Sequence, residues 1–231
     1  MRKATPEQIA AARAEAVKRF GSPKLVAIPF AAPLDVEVIA APFDRRGWSR
    51  FYDLSRSRPD DVADLMFLER ALWPENIVEL KDGSAAMPGE LLRKLKQFAG
   101  ETPNPPRLEV LTSAGAPAFG LSAEAAQGLL SDATTTLWLV LPARAFAGKK
   151  LCLVVETPET SRYEAVIDAR DQAIRAQLGI LEAGQDIMFE AFKWPASVDG
   201  LLEEWPGIAE DVVIAYARAG GIGLAGEAKS V

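Results

Sequence analysis

Near the start of the chain, Thr5-Pro6-Glu7-Gln8 combines a hydroxyl cap, a proline at the first helical position and a glutamine at the capping-box position. Ile9, Ala12, Ala16, Val17 and Phe20 then share one helical face, and Gly21 closes the helix. Two apolar runs, Leu25 to Phe30 and Val36 to Ala41, flank Ala31-Ala32-Pro33-Leu34 and predict a β-hairpin. Trp48, Phe51, Tyr52 and Ser55 follow at helical spacing, so the aromatics form one inward stripe. A second helix through Asp64-Leu65-Met66-Phe67 is expected to stop at Trp73-Pro74, because proline disfavours helix at the residue before it. A last helix begins at Pro88, buries Leu91, Leu92, Leu95, Phe98 and Ala99, and ends at Gly100.

The second half repeats this order. A short helix from Ser122 precedes two apolar runs, Leu137 to Leu141 and Leu151 to Glu156. Tyr163, Val166, Ile167, Ile174, Leu178 and Leu181 mark a long amphipathic helix. Asp186-Ile187-Met188-Phe189 leads to Trp194-Pro195, and a final helix from Pro206 carries Ile208, Val212, Ala215, Tyr216 and Ala219 to Gly220. Tryptophan and proline are rare enough that this shared order points to a duplicated module, with spacing drift of the kind loops tolerate. The period exceeds that of common solenoid repeats. The expected fold is α+β, two duplicated modules, each a helix, a β-hairpin and two to three following helices. Residues 1–104 form the first module, 105–120 a proline-rich linker with an edge strand near Leu108 to Leu111, 121–224 the second module and 225–231 a frayed tail. The four hairpin strands form one sheet or two; the sequence leaves both open.

Composition narrows the function. The chain has 231 residues, 49% hydrophobic and 25% charged, an ordinary globular balance. Its 26 Lys and Arg against 32 Asp and Glu give a net charge of -6, which argues against general nucleic-acid binding. No apolar run approaches the roughly 18 residues of a membrane helix, and the charged start lacks a signal-peptide core, so the expectation is a cytoplasmic protein. Cys152 is the only cysteine and lies in an apolar run, which excludes an internal disulfide and predicts a buried, unreactive thiol. There is no histidine. That removes Ser-His-Asp and Cys-His catalysis and His-ligated metal centres, and leaves only carboxylate, lysine or tyrosine chemistry. No catalytic residue, metal site or cofactor is expected.

Three clusters have plain readings. Five arginines between Arg45 and Arg58, interleaved with Trp48, Phe51 and Tyr52, read as a solvated helix face rather than a nucleic-acid surface, because Asp44, Asp53, Asp60 and Asp61 offset them. Asp60, Asp61, Asp64 and Glu69 lack the spacing of a calcium loop and read as helix N-terminal charge. Gly220-Gly221-Ile222-Gly223 follows a helix instead of leading from a strand into one, so it is not a phosphate loop. Trp73 and Trp194 have two readings, core packing at a helix end or anchors for a partner.

With these residues in view, the layout resembles the small tail assembly chaperones of long-tailed bacteriophages and prophages. In the first module the resemblance rests on Ala41-Pro42, Trp48-Ser49-Arg50-Phe51, Leu65-Met66-Phe67, Trp73-Pro74, Pro88-Gly89 and Ala99-Gly100. In the second it rests on Thr157-Pro158, Arg162-Tyr163-Glu164, Ile187-Met188-Phe189, Trp194-Pro195, Leu201 to Gly207 and Ala219-Gly220. The resemblance implies a non-enzymatic protein of the host cytoplasm that binds tape-measure or tail-tube subunits before assembly, without cofactor, nucleic acid or membrane. Members of that family usually carry one module, so a fused pair departs from the pattern. Trp73, Trp194 and Trp205 are the expected partner-binding residues. Two other readings stand beside it: a virion structural component whose modules self-associate as a homo-oligomer, and a carboxylate-dependent enzyme lacking histidine.

Overall fold

A computed structural model of the chain describes residues 1–101, 107–109, 114, 121–131, 137–141 and 151–220. The fold is α+β with small antiparallel sheets, and it divides into two compact units, Met1–Ala99 and Gly100–Val231.

In the first unit, helix α1 (Pro6–Phe20) starts at the predicted capping box. The Thr5 hydroxyl accepts from the Gln8 N–H at 3.3 Å, and the Gln8 side chain accepts from the Thr5 N–H at 2.9 Å. Gly21 ends the helix with a φ of 70°, a left-handed conformation that suits glycine. Ala12 and Ala16 are buried, whereas Val17 is exposed despite its place on the predicted face. Strands β1 (Val26–Phe30) and β2 (Val36–Ala40) form the hairpin, with Val26 opposite Ala40 and Phe30 opposite Val36. Helices α2 (Arg45–Ser57) and α3 (Val62–Arg70) follow, then β3 (Ala71–Trp73), α4 (Ile77–Gly83) and α5 (Met87–Phe98).

The second unit holds β4 (Arg107–Glu109), α6 (Ala123–Ser131), β5 (Leu137–Leu141), β6 (Leu151–Val155), α7 (Thr160–Ala176), α8 (Gln185–Phe189), β7 (Phe192–Trp194) and α9 (Val198–Glu204). A 3-10 turn, Pro206–Ile208, then leads into α10 (Ala209–Ala219). From each hairpin onward the order strand, strand, helix, helix, strand, helix, helix is the same in both units. The sheets are separate, ordered β1-β2-β3 and β4-β5-β6-β7. Arg107–Glu109 is thus an edge strand within the segment expected as linker. The rest of residues 105–120 is outside the described residues except Gly115's neighbour Ala114, as are the 225–231 tail and the Cys152 side chain.

The sequence pattern missed the third strand counted from each hairpin, β3 and β7. The residues just before Trp73-Pro74 and Trp194-Pro195 are not the end of a helix. They leave it at Arg70 and Phe189 and pair antiparallel with β2 and β6, Trp73 opposite Ile39 and Trp194 opposite Val154. The same steric conflict that ends helix before proline favours extended backbone there. Other limits also shift. Helix α7 stops at Ala176, where Gln177 takes a left-handed φ of 55°, so Ile174 and Leu178 are exposed rather than part of one long buried face. Phe98, placed on the apolar face of α5, is half exposed at its C-terminal end, while Leu91, Leu92 and Leu95 are buried as expected.

At the α2–α3–β3 junction of the first unit lies a buried arginine. Arg70 is 2% exposed, donates to the Pro42 carbonyl at 3.3 Å, and lies 3.5 Å from Asp44 and 3.3 Å from Glu69. Its guanidinium covers the Phe20 ring at 4.2 Å and the Phe43 ring at 5.2 Å. Burial lowers its pKa from the ordinary value, and Asp44 and Glu69 act in the opposite sense. Glycine at position 47 makes room for it, since a methyl group there would overlap Arg70 Nη2 and lie 2.6 Å from Asp44 Oδ1. Gly47→Ala is therefore expected to lower stability by about 1–3 kcal/mol in urea unfolding. An unchanged midpoint would show that Arg70 is free to move aside.

Candidate functional site

The second unit contains a pocket of about 170 Å³ where the β6–α7 junction, α8 and α10 converge. Glu156, Thr157, Pro158 and Glu159 form one wall as the chain leaves β6 and enters α7. Proline at position 158 favours extended backbone at Thr157, and the Glu159 carbonyl accepts the first helical hydrogen bond, from the Tyr163 N–H at 2.9 Å. Arg162, one turn into α7, faces Glu190 and Ala191 at the α8–β7 junction, and Tyr216 of α10 completes the lining with Ile187.

Three carboxylates and one guanidinium make this lining acidic. Two of the carboxylates are in ion pairs: Glu190 Oε2 with Arg162 Nη1 at 2.7 Å, and Glu156 Oε2 with Lys193 Nζ at 2.7 Å. The Arg162 and Glu190 side chains are 53% and 60% exposed, so water screens their attraction and the pair lends little stability.

Beside the pocket, the Tyr163 and Tyr216 rings stack with centroids 5.9 Å apart and planes inclined by 13°. Gly220, at the end of α10, allows this packing, because a methyl group there would overlap the Tyr163 ring. Tyr216 is only 2% exposed, yet its hydroxyl has no hydrogen-bond partner, and the buried Tyr163 hydroxyl has none either. Buried polar groups are rarely left in this state, because desolvation without a hydrogen bond is costly. Burial raises both phenol pKa values above the ordinary one, and for Tyr216 the neighbouring Tyr163 adds to the rise.

The expected anchor residues occupy different surroundings. Trp73 is buried in the first unit, 5% exposed, with the Arg2 guanidinium 5.5 Å above its ring. Trp194, in β7, and Trp205, at the end of α9, are half-buried in the second unit. None of the three lines the pocket. Thr157, Pro158, Arg162 and Ile187 of its lining belong to the quoted motifs, but nothing in the sequence signals that they meet, because Tyr216 fits an apolar helix face and Glu156, Glu159 and Glu190 fit a solvated one. A tyrosine on each of two otherwise aliphatic faces was the available signal.

Elsewhere the charged clusters make ion pairs, and within them Asp44 and Glu69 depart from a plain surface role because they flank the buried Arg70. Arg58 pairs with Asp61 at 2.7 Å, Arg50 with Glu69 at 3.3 Å, and Asp64 with Lys81 at 2.7 Å. Among the described residues no three His, Cys, Asp or Glu side chains are grouped to hold a metal ion, and no helix is long and apolar enough to cross a membrane. The chain matches no family model, no curated protein and no solved structure.

The orphaned hydroxyl of Tyr216 has a measurable consequence. Because its folded pKa is raised, the native state keeps the proton at pH values where the unfolded tyrosine has lost it. Its contribution is therefore complete below the unfolded value of about 10 and declines as pH rises through the folded one. Tyr216→Phe is expected to flatten this alkaline loss and to raise neutral-pH stability by about 1 kcal/mol, since a buried unpaired hydroxyl is removed. Urea unfolding between pH 7 and 11 checks both, and a destabilised variant with the alkaline slope intact would contradict the assignment.

Proposed function

We propose that the chain is a non-enzymatic, tail-assembly-chaperone-like protein that holds tape-measure or tail-tube subunits before they polymerise. The observation that carries this reading is the shared order of elements, in which each unit has a strand, β3 or β7, that ends at the tryptophan of a Trp-Pro pair. Among the quoted motifs, Trp73-Pro74 and Trp194-Pro195 fall at equivalent places in that plan, each with its tryptophan at the end of a strand paired with the hairpin. The half-buried Trp194 and Trp205 support the reading further, because neither is fully enclosed in the core as Trp73 is. Aromatic side chains of this kind dominate the energetics of protein interfaces when a partner covers them. Binding of this sort has to remain weak enough for assembling tube to displace the chaperone, which favours small contacts over an extended interface.

Co-expression with the neighbouring reading frames, followed by capture of a tagged chain, is expected to recover a long helical protein or a tube subunit. Trp194→Ala should reduce that recovery by about tenfold, the loss of roughly 1.4 kcal/mol at one anchor, while leaving the unfolding midpoint within the range of surface substitutions. Recovery of the chain alone, with the candidate clients demonstrably expressed, would overturn the proposal. A mass that then rises with concentration in light scattering would assign the surface to self-association.

A further inference from the structure

The two units place the same backbone hydrogen bond beside the site: Ala41 N–H donates to the Arg70 carbonyl, and Glu156 N–H donates to the Ala191 carbonyl. Strand pairing agrees, since Ala40 faces Ala71 and Val155 faces Phe192. This aligns Arg70 with Ala191, Glu69 with Glu190, Pro42 with Thr157, and Asp44, whose side chain caps α2, with Glu159, which holds the N-cap position of α7 without a side-chain capping bond. Every group that holds the Arg70 guanidinium through a polar contact in the first unit therefore has a counterpart lining the pocket of the second. Alanine at position 191 leaves that space without the side chain that fills it in the first unit.

From this correspondence we infer that the pocket of the second unit is a receptor for a guanidinium group, supplied by an arginine side chain of a bound protein. Glu69 shows how the charges divide: its Oε2 engages Arg50 of α2 and its Oε1 engages Arg70. In the second unit Glu190 Oε2 engages Arg162 of α7, an ion pair that does not use Oε1. Arg162 stands where the first unit has Gly47, counted from the helix caps, and because a Cβ at Gly47 would overlap Arg70 Nη2, the incoming group cannot lie where Arg70 does and is displaced toward Glu159. Two carboxylates then accept from a planar fork of five N–H donors, an arrangement that suits arginine better than lysine. Tyr216 belongs to the wall, and its buried hydroxyl has no hydrogen-bond partner. A volume of about 170 Å³ is of the size that holds a ligand like benzene, enough for a guanidinium and the end of its stem. An anion is disfavoured, since three carboxylates surround the single Arg162.

Only the source of the arginine rests on the proposed partner-binding role; the chemistry of the pocket does not. The probe is therefore N-acetyl-arginine methylamide, titrated into the full chain and followed through the ring resonances of Tyr163 and Tyr216. A weak, saturable shift of these resonances is expected. Glu190→Gln, which keeps the side chain's shape, should weaken binding about tenfold through loss of a charge-assisted contact. The double variant R162G/A191R restores the first unit's pairing and should abolish binding by filling the site internally. The lysine analogue should bind more weakly than the arginine one. The inference is overturned by an absence of saturable shifts, by affinity unchanged in both variants, by equal binding of the lysine probe, or by N-acetyl-aspartate methylamide moving the same resonances. Arginine binding without capture of any partner protein would leave the pocket assignment standing and remove only the partner-binding role.

Discussion

One backbone hydrogen bond in each unit, 2.9 Å from Ala41 to Arg70 and 2.8 Å from Glu156 to Ala191, fixes how the helices return to the sheet. It holds the start of the third strand beside the end of the second hairpin strand, just where the next helix begins. Because the residue that accepts this bond also carries a side chain toward the helix N-terminus, its identity decides what occupies the junction. This hydrogen bond recurs in both units, and the side chains around it differ.

In the first unit the junction is closed. Arg70 takes the space, Gly47 yields to it, and carboxylates on both sides compensate a charge that would otherwise be costly to bury. In the second unit the residues are exchanged: alanine stands in the place of the arginine, and an arginine in the place of the glycine. Arg162 remains half-solvated at the mouth with Glu190, and a pocket is left behind it. An unpartnered tyrosine hydroxyl in its wall is a stability cost of the kind that binding sites retain. The first unit thereby serves as a structural precedent for what the second can hold.

Much of this was legible in the sequence because the signals were local. The capping box at Thr5 and Gln8, the hairpin from Leu25 to Ala41, the inward face of α10 and that of α5 apart from Phe98 each depend on neighbours a few residues away, and they appear where the pattern puts them. The α+β class followed from their order. The third strands were not legible, since three residues such as Ala71-Leu72-Trp73 carry no periodicity and become a strand only by pairing with β2. The pocket was hidden for a related reason. Glu159, Glu190 and Tyr216 are far apart along the chain, and each taken alone fits a common surface or core role; only their convergence makes them a site. Arg70 was equally silent, as an arginine in a charged helix gives no sign that the fold buries it.

The proposed chaperone-like role and the guanidinium pocket meet in one physical picture: a repeated scaffold in which one copy satisfies its own charged junction and the other offers that junction to a partner. The most direct test is the crystal structure of the R162G/A191R chain. The account predicts that the introduced guanidinium lies buried between Glu159 and Glu190, donating to the Thr157 carbonyl, with the pocket closed as the junction around Arg70 is. A side chain that projects into solvent beside an unfilled pocket would contradict the equivalence of the two junctions, and with it the basis for reading the second as a receptor.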